Sequence, residues 1–403
     1  MLEPYRRLLA ALRSNPSQWS EIRYEPIPHP RWKRIDANDR TRYGVLLCLQ
    51  YGRTEADHEL VRACLNEETR ARSDDPFQGD PPSIHLGSFL LADYHQAEDV
   101  PLLWKAKTAN SDTWGGMDFR YMFAADPQAA LELVGNLSQR MRSVIWEVLQ
   151  ECGLTGPTVS RVNGRHAASP GTLNRSALGK WWAELQRRFP RCEEEEDPLT
   201  LAERAVYFEA IEEGRAHLDR WEQGRKQDYH TLYTLTQMRQ ALGEPAKALA
   251  AAENKCRLRT GEPIHIADEL LDLPELHAAI GQYEEAEAIL AEVESILYRN
   301  TELLQYGIGG SAAEKMLELV LDEGCPPAVR ARAWGRAKRL IDHRTWWGSL
   351  VLLETAEKAG ELIQDIEGAA HFTRLADEEH ARIRAEHPKF GRPAQRPKGQ
   401  SLH

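Results

Sequence analysis

Apolar residues recur along this chain with the period of an α-helix, and this periodicity constrains the fold more than any other feature. It extends through residues 282–298, where spacings of three and four connect Tyr283, Ala286, Ile289, Leu290, Val293, Ile296 and Leu297. Residues 55–72 carry a similar stripe. Alternating strand patterns are rare, and the best candidate is residues 158–162, just before Asn163-Gly164. We therefore predict an all-α fold built from antiparallel helical hairpins.

One helical hairpin occurs twice in the second half of the chain. The segments ALGEPAKALAAAE and AIGQYEEAEAILAE place Gly243 and Gly281 38 residues apart, and an alanine, Ala248 or Ala286, follows each glycine by five residues. Glycine accepts the left-handed conformation that ends a helix, and alanine lets the two helices of a hairpin approach closely. The sequence shows no clean third copy.

Residues 276–293 resemble the tetratricopeptide repeat, whose second half reads Gly-x-Tyr-x-x-Ala followed by spaced apolar positions. The matching residues are Gly281, Tyr283, Ala286, Leu290 and Val293. The resemblance covers about residues 229–298 and implies hairpins stacked as an α-solenoid, in which the first helices line a surface for a peptide or protein. On the matching positions, that acid-leaning surface would carry His230, Tyr233, Gln237, Asp268 and Glu275. The alternative is a purely structural scaffold.

Shifts in composition divide the chain into four segments. We predict an N-terminal helical domain over residues 1–155 and a basic, then acidic, linker with one helix over residues 156–198. A tetratricopeptide-like repeat domain follows over residues 199–387. Residues 388–403 contain three prolines, four basic residues and no acid, and this composition predicts a disordered basic tail because it cannot form a core.

Charge and cysteine content limit the class of protein. Lys and Arg number 51 and Asp and Glu 62, so the formal charge is −11, which argues against a general nucleic-acid binder and suits a basic partner. The longest uncharged run, residues 81–92, is far shorter than the roughly 18 residues that span a membrane. The six cysteines form no CxxC pair, and the first residues lack an export signal. We expect a cytoplasmic protein of bacterial type.

A segment rich in charge and aromatic rings, residues 104–123, is a candidate surface for a partner. Its candidate binding residues are Trp104, Lys105, Lys107, Asp112, Trp114 and Asp118. Such mixtures are typical of protein-recognition surfaces, where aromatic side chains carry much of the binding energy. The alternative is a corner between helices, with Trp104 and Trp114 as anchors and Asp112 capping the following helix.

Two other functions remain open from the sequence. An N-terminal enzyme site would need Asp93, His95, Asp112 and Asp118 to converge in one cleft, although these residues do not complete a metal site. No cofactor is expected, because the glycine-rich residues 306–312 follow a predicted helix rather than the strand that a dinucleotide site needs.

Regulatory nucleic-acid binding would use the arginines beside Trp181-Trp182, namely Arg187, Arg188 and Arg191. The leading hypothesis is instead a non-catalytic helical-repeat protein that binds another protein. A concrete candidate is an immunity protein that neutralises a basic toxin of an interbacterial system.

Overall fold

The computed structural model describes residues 1–29, 33–74, 79, 81–155, 159–162, 165–168, 173–305, 307–343 and 350–386. Within these ranges the fold is all-α, as predicted, with 21 α-helices and two short β-hairpins. The chain forms two compact units, the first ending at Ala210 and the second beginning at Ile211. The predicted tail, residues 388–403, lies outside the described residues. None of the helices in those ranges has both the length and the apolar character needed to cross a membrane.

The first unit includes the helix that was predicted within a linker. Its described α-helices are α1 (Glu3–Ser14), α2 (Asp39–Gly52), α3 (His58–Asp74), α4 (Pro82–Ala92), α5 (Val100–Lys107), α6 (Ser111–Gly116), α7 (Arg120–Ala125), α8 (Pro127–Gly135), α9 (Gln139–Glu151), α10 (Arg175–Arg188) and α11 (Pro198–Tyr207). The linker helix is α10, which contacts α7. Residues 199–210, assigned from the sequence to the repeat domain, also belong here, because Tyr207 and Phe208 pack against the ring of Tyr43.

The core of the first unit is built around α2 and α4. Residues 45–49 of α2 are all buried, as are residues 83 and 84 and residues 86–92 of α4, and a helix that is apolar on all sides must be enclosed by others. Helices α1, α3 and α4 surround α2. The predicted stripe of α3 is confirmed at Leu60, Val61, Cys64 and Leu65, which are all buried.

Two β-hairpins accompany these helices. Strand β1 (Pro26–His29) pairs antiparallel with β2 (Lys33–Asp36), and β3 (Val159–Val162) pairs antiparallel with β4 (Arg165–Ala168). The strand predicted at residues 158–162 is therefore confirmed over β3, whereas Asn163-Gly164 lies outside the described residues. No alternating strand pattern predicts the first hairpin, because two prolines interrupt β1.

A buried ion pair fastens the first hairpin to the helices. The Arg42 side chain in α2 is fully buried, and its Nε donates to Glu68 Oε1 of α3 at 2.7 Å. Its Nη2 donates to Asp36 at the end of β2. Ser83 of α4 donates to the second oxygen of Glu68 at 2.9 Å. Buried charges are tolerated when paired and hydrogen-bonded in this way, so one network joins a strand and three helices.

The second unit is a succession of helical hairpins. Its described helices are α12 (Ile211–Glu222), α13 (Tyr229–Ala241), α14 (Pro245–Leu258), α15 (Pro263–Leu270), α16 (Leu273–Ala279), α17 (Tyr283–Arg299), α18 (Ile308–Leu321), α19 (Pro327–Asp342), α20 (Leu350–Leu362) and α21 (Ile366–Glu386). Helices pair as α13 with α14, α16 with α17, α18 with α19 and α20 with α21. Pro274 at the start of α16 separates α15 from α16, because proline cannot continue a helix.

Three of the four hairpin corners share one backbone conformation, whereas no residue between α18 and α19 has a positive φ. Gly243 and Gly281 have φ values of +68° and +80°, which confirms the predicted left-handed turns. After each glycine, the next amide closes the turn, with Glu244 donating to the Arg239 carbonyl at 2.8 Å and Gln282 donating to the His277 carbonyl at 2.9 Å. This is the Schellman motif, which satisfies carbonyls that the end of a helix leaves without partners.

The corner between α20 and α21 repeats this geometry without glycine. Gln364 has φ of +62°, and the Asp365 amide donates to the Gly360 carbonyl at 2.9 Å. Ala369 follows Gln364 by five residues and is buried, as Ala248 and Ala286 are in the earlier copies. A third hairpin with this corner therefore exists, and the sequence comparison missed it because glutamine occupies the glycine position.

Charged side chains connect neighbouring hairpins of the second unit. Glu287 and Glu294 lie seven residues apart on α17, and both are nearly buried. Arg336 of α19 donates to Glu287 at 2.7 Å and also to Glu294. Arg332 and Arg339, one turn away on either side, pair with Glu287 and Glu294 respectively. The ladder of arginines and glutamates sets the register of α17 against α19.

Replacing Gln364 by glycine should stabilise the second unit. A non-glycine residue in the left-handed region destabilises the folded state by about 1 kcal/mol, and glycine removes this strain. Glycine also raises the entropy of the unfolded chain, which cancels part of the stabilisation. We expect Gln364→Gly to raise the free energy of unfolding by roughly 0.5 kcal/mol, measured by urea denaturation. The reciprocal change Gly281→Ala should lower it by about 1 kcal/mol. No neighbouring atom lies within 4 Å of a β-carbon at Gly281, so the effect would be one of backbone conformation. A change of the free energy of unfolding in the same direction for both substitutions would contradict this account.

The hydrogen bonds and ion pair of Asp365 should make the free energy of unfolding depend on pH. Its carboxylate accepts from Trp334 Nε1 at 2.8 Å, Lys338 Nζ at 2.6 Å and the Gly368 amide at 3.0 Å. The Lys338 ammonium, followed by Trp334 and the Gly368 amide, lowers the pKa of Asp365 to about 2. Because this pKa lies below its unfolded value, the stabilisation is present above that unfolded pKa and is lost as the pH falls towards 2.

The matching variant is Asp365→Asn, which keeps the shape of the side chain and removes its charge. At neutral pH we expect it to lower the free energy of unfolding by roughly 1 kcal/mol. Thermal unfolding followed from neutral to acidic pH should show the two proteins converging as the acid protonates Asp365. A difference that stays constant with pH would show that the carboxylate charge contributes nothing.

Candidate functional site

The segment proposed from the sequence as a recognition surface, residues 104–123, forms a corner of α5, α6 and α7 in the first unit. The rings of Trp104, Trp114 and Phe119 pack together with centroids 5.3 to 6.3 Å apart. Lys107 is only 3% exposed, donates to the carbonyls of Trp114 and Met117, and lies 4.4 Å from the centre of the Phe119 ring. Lys107 therefore stabilises the corner from inside and is not accessible to a partner.

The capping of this corner differs from the prediction. Asp112 was predicted to cap the helix after the turn, but at the start of that helix, α7, the Arg120 amide donates to Asp118 Oδ1 at 2.8 Å. The N-cap of α6 is Asn110, whose side chain accepts from the Thr113 amide at 2.7 Å. Asn110 precedes the helix and can turn its side chain back to the free amides, whereas Asp112 already lies within the first turn. Asp112 and Lys105 are exposed, and Asp118 is ion-paired with Arg120.

The residues of the alternative enzyme site have separate partners. Asp93 pairs with Arg53 and, at 2.8 Å, with Arg191. His95 Nδ1 lies 2.8 Å from the carbonyl oxygen of Ala124. No hydrogen bond joins Asp93, His95, Asp112 and Asp118 to one another in the described structure. Across the residues that the structure describes, no group of three or more His, Cys, Asp or Glu side chains could hold a metal ion.

The arginines of the nucleic-acid alternative are also partly occupied. Arg187 pairs with Glu184 on the same helix, and Arg191 pairs with Asp93. Arg188 lies over the ring of Phe189, with its guanidinium carbon 5.8 Å from the ring centre. Glu184 therefore neutralises Arg187, and Arg191 shares the carboxylate of Asp93 with Arg53, which leaves less positive charge for phosphates than the sequence implied.

In the second unit, helix α13 presents the predicted residues of the repeat surface. Tyr229, Tyr233 and Gln237 follow one another at intervals of four residues and are all exposed, so they share one side of the helix. His230 is exposed beside Tyr229, and Asp268 is exposed on α15. The exposed fractions of Tyr229 and Tyr233, 37% and 46%, are high for tyrosine side chains packed in a helical unit.

A buried lysine supports the two tyrosine rings from below. Lys255 of α14 is 1% exposed, and its ammonium lies 5.9 Å from the centre of the Tyr229 ring and 5.4 Å from that of Tyr233. The same ammonium pairs with Glu269 at 2.8 Å and Asp272 at 2.5 Å. Burial alone would lower the pKa of Lys255, but the hydrogen bonds to Asp272 and Glu269 outweigh it and raise the pKa. The lysine therefore remains charged and attracts both rings.

The hydroxyl of Tyr229 fixes its ring further. It donates to Glu269, the same carboxylate that pairs with Lys255. The guanidinium of Arg259 lies 5.3 Å from the Tyr229 ring centre on α14's C-terminal side. Ile266 is 36% exposed one turn before Glu269 on α15. We call the exposed surface of Tyr229, Tyr233, Gln237 and Ile266 the tyrosine face.

A polar ladder continues from the tyrosine face across the first helices of the next hairpins. Gln240 of α13 donates to Glu275 of α16 at 2.7 Å. Lys315 of α18 donates to the other oxygen of Glu275 at 3.0 Å and to Glu318 at 2.8 Å. These bonds place α13, α16 and α18 side by side, and they bring the predicted residue Glu275 onto a surface continuous with α13.

Acidic side chains border this surface. Asp228, Asp268, Asp272, Glu275 and Glu318 are partly or fully exposed on its helices and their caps, whereas Arg259 and Lys315 are the basic residues named above. Three of these acids are already paired within the unit, Asp272 with Lys255 and both Glu275 and Glu318 with Lys315. Lys255 and Glu269, which organise it, were missed from the sequence, since neither carries a motif. Tyr229 could have been found, because it precedes Tyr233 by one helical turn.

No protein-family model matches this chain, and a comparison with curated proteins finds no match. We therefore describe the class of protein from its fold and surface residues alone. It is an all-α protein whose second unit holds an aromatic, acid-bordered face on a run of helical hairpins.

Removing the charge beneath the tyrosines should cost much stability. Lys255→Met leaves the buried Glu269 with only the more distant Arg259, 3.9 Å away, and we expect the free energy of unfolding to fall by about 3 kcal/mol. Lys247 lies on the same helix and pairs with Glu244, but 57% of its side chain is exposed. Lys247→Met should therefore change stability by less than about 0.5 kcal/mol. Urea denaturation of both variants tests this, and equal losses would show that Lys255 is an ordinary surface lysine.

Proposed function

We propose that this chain is a non-catalytic helical-repeat protein that binds a basic polypeptide through the tyrosine face. The observation that supports this most is the pair Tyr229 and Tyr233, which is exposed although a buried ion cluster holds both rings. Tyrosine is enriched among residues that dominate protein interfaces, since it offers a large surface and loses little freedom on binding.

Rigidity of the face favours binding because ordering flexible side chains opposes association. The Tyr229 hydroxyl is bonded to Glu269, and Lys255 attracts both rings, so much of that ordering has occurred before a partner arrives. The contiguous ladder of Gln240, Glu275 and Lys315 extends the contact surface over three hairpins. Such a surface suits an extended or helical segment of another protein rather than a small molecule.

The negative charge of the protein favours a basic partner. The protein carries a net charge of −11, and acids border the tyrosine face. A basic partner would be steered towards it, and this attraction weakens as salt screens the charges. Among proteins of this kind, an immunity protein that neutralises an interbacterial toxin in the cytoplasm is a concrete candidate, because that task requires tight binding and no catalysis.

Affinity purification of the full chain from its native cells tests the proposal. We expect a basic polypeptide to co-purify, and Tyr233→Ala to weaken its affinity by about 30-fold, the effect of one interface hot spot. Titration at increasing salt should lower the affinity of the unaltered protein.

Ile366→Ala is the matched control, since Ile366 is 80% exposed on α21 and lies outside the tyrosine face. Its affinity for the partner should equal that of the unaltered protein. Equal weakening by both variants, an acidic partner, or recovery of a small metabolite alone would contradict the proposed function.

A further inference from the structure

The negative charge of the chain is concentrated in its second unit, and a basic segment follows that unit directly. Residues 211–386 contain 32 acidic and 21 basic residues, a net charge of −11, whereas residues 1–210 contain 30 acidic and 26 basic residues, a net charge of −4. The predicted tail, residues 388–403, has four basic residues and no acid. A segment of charge +4 is therefore joined covalently to a unit of charge −11, and opposite charges attract.

The C-terminal end of α21 lies at the same end of the hairpins as the tyrosine face. The two helices of a hairpin run in opposite directions, so each second helix ends where its first helix begins. Lys255 near the end of α14 lies beneath Tyr229 at the start of α13. The rings of Tyr298 and His343, at the ends of α17 and α19, pack 5.5 Å apart. His380 near the end of α21 lies 3.3 Å from a carboxylate oxygen near the start of α20.

The tail is long enough to reach the tyrosine face. Contacts join α20 to α18 and α18 to α16, and Gln240 bonds α13 to α16. Packed helices lie about 8 to 10 Å apart, so these three steps amount to about 30 Å. The described part of α21 ends at Glu386, and the sixteen residues of the tail span up to about 55 Å when extended. Arg396 and Lys398, ten and twelve residues beyond Glu386, therefore come within range of α13.

Three carboxylates at this end of the hairpins are exposed beside the tyrosine face. Asp228 caps α13, Glu262 precedes α15 and Asp268 lies on α15, and none of them forms an ion pair within the described ranges. Lys226 is the exposed cation next to Asp228. An arginine of the tail can pair with such a carboxylate while its planar guanidinium packs on the exposed ring of Tyr233.

We propose that the basic tail, residues 388–403, lies across the tyrosine face of its own chain and competes there with the partner. A segment of the same molecule is present at an effective concentration of order 1 mM, so a contact with a dissociation constant near that value is formed about half of the time. A polypeptide that binds the face more weakly than the tail is then rejected, whereas a tighter one displaces it. The competition rests on the proposed function, but the contact itself does not.

Hydroxyl-radical footprinting of the full chain without any partner tests the contact. The four substitutions of the test variant are Lys389→Gln, Arg392→Gln, Arg396→Gln and Lys398→Gln. They remove the charge of the tail and leave every described residue unchanged. At low salt we expect Tyr229 and Tyr233 to react about twofold faster in this variant, because a contact formed half of the time halves their exposure. The difference should vanish in about 1 M salt, where the Debye length is about 3 Å.

The matched control removes the same charge from exposed side chains of the first unit. Its four substitutions are Arg7→Gln, Arg140→Gln, Arg175→Gln and Lys180→Gln. Both tyrosines should react in the control as they do in the unaltered chain, and at a rate that does not depend on protein concentration. Equal reactivity in all three proteins would overturn the proposal. Protection that grows with concentration would also overturn it, because the occupant would then be the tail of a second copy.

The co-purified partner tests the competition separately. At low salt it should bind the test variant about twofold more tightly than the unaltered chain, because the face is no longer covered half of the time. Faster reaction of Tyr229 and Tyr233 without a gain in partner affinity would overturn the competition. If no basic polypeptide co-purifies, the proposed function fails, and the footprint of the isolated chain still decides whether the tail lies on the tyrosine face.

Discussion

The closure of the hairpin corners is the constraint on which the second unit depends. A single left-handed residue and one amide-to-carbonyl bond reverse the chain at Gly243, Gly281 and Gln364. Because each reversal is short, the second helix starts close to the first, and the small residue five positions later, Ala248, Ala286 or Ala369, is buried at the contact. These three corners therefore have one geometry, whereas the α18–α19 corner reverses the chain without a left-handed residue.

Ionic contacts then fix how each hairpin meets the next. Arginines of α19 form ion pairs with Glu287 and Glu294 of α17. Lys255 of α14 forms ion pairs with Glu269 of α15 and with Asp272, which precedes α16. Apolar packing alone tolerates sliding of one helix along another, whereas a nearly buried carboxylate must keep its cation. The exposed side chains therefore have defined spacings, and this is what makes the tyrosine face a candidate for recognition.

The same principle operates in the first unit on a smaller scale. Arg42 and Arg204 are both buried, but their environments differ. Each hydrogen bond that the structure describes for Arg42 goes to Asp36, Glu68 or a backbone carbonyl. Arg42 therefore joins elements of the fold. Arg204 is equally well anchored through Nη1 and Nη2, yet its Nε faces no acceptor.

Much of the fold could be predicted because its signals are local. The period of α17, the apolar stripe of α3 and the glycines at 243 and 281 all specify structure within a few residues. The boundary near residue 210 could not be read in this way, since it depends on aromatic packing of Tyr207 and Phe208 against the distant Tyr43.

In the candidate sites too, residues identified by a local sequence pattern could be predicted, whereas residues defined by contacts distant in sequence could not. Tyr233, Gln237 and Glu275 were expected from repeat positions, and the structure exposes all three. Lys107 resembled a surface charge, but its ammonium bonds two carbonyls that lie up to ten residues away and become neighbours only through the turn at Asn110. Lys255 had no sequence signal at all, because its significance comes from partners on other helices.

Hydroxyl-radical footprinting of the full chain with its co-purified partner tests the central claim most directly. The account predicts that Tyr229 and Tyr233 react with radicals in the isolated protein and become protected together in the complex, along with Ile266. Protection confined to side chains of the first unit, with unchanged reactivity at both tyrosines, would contradict it.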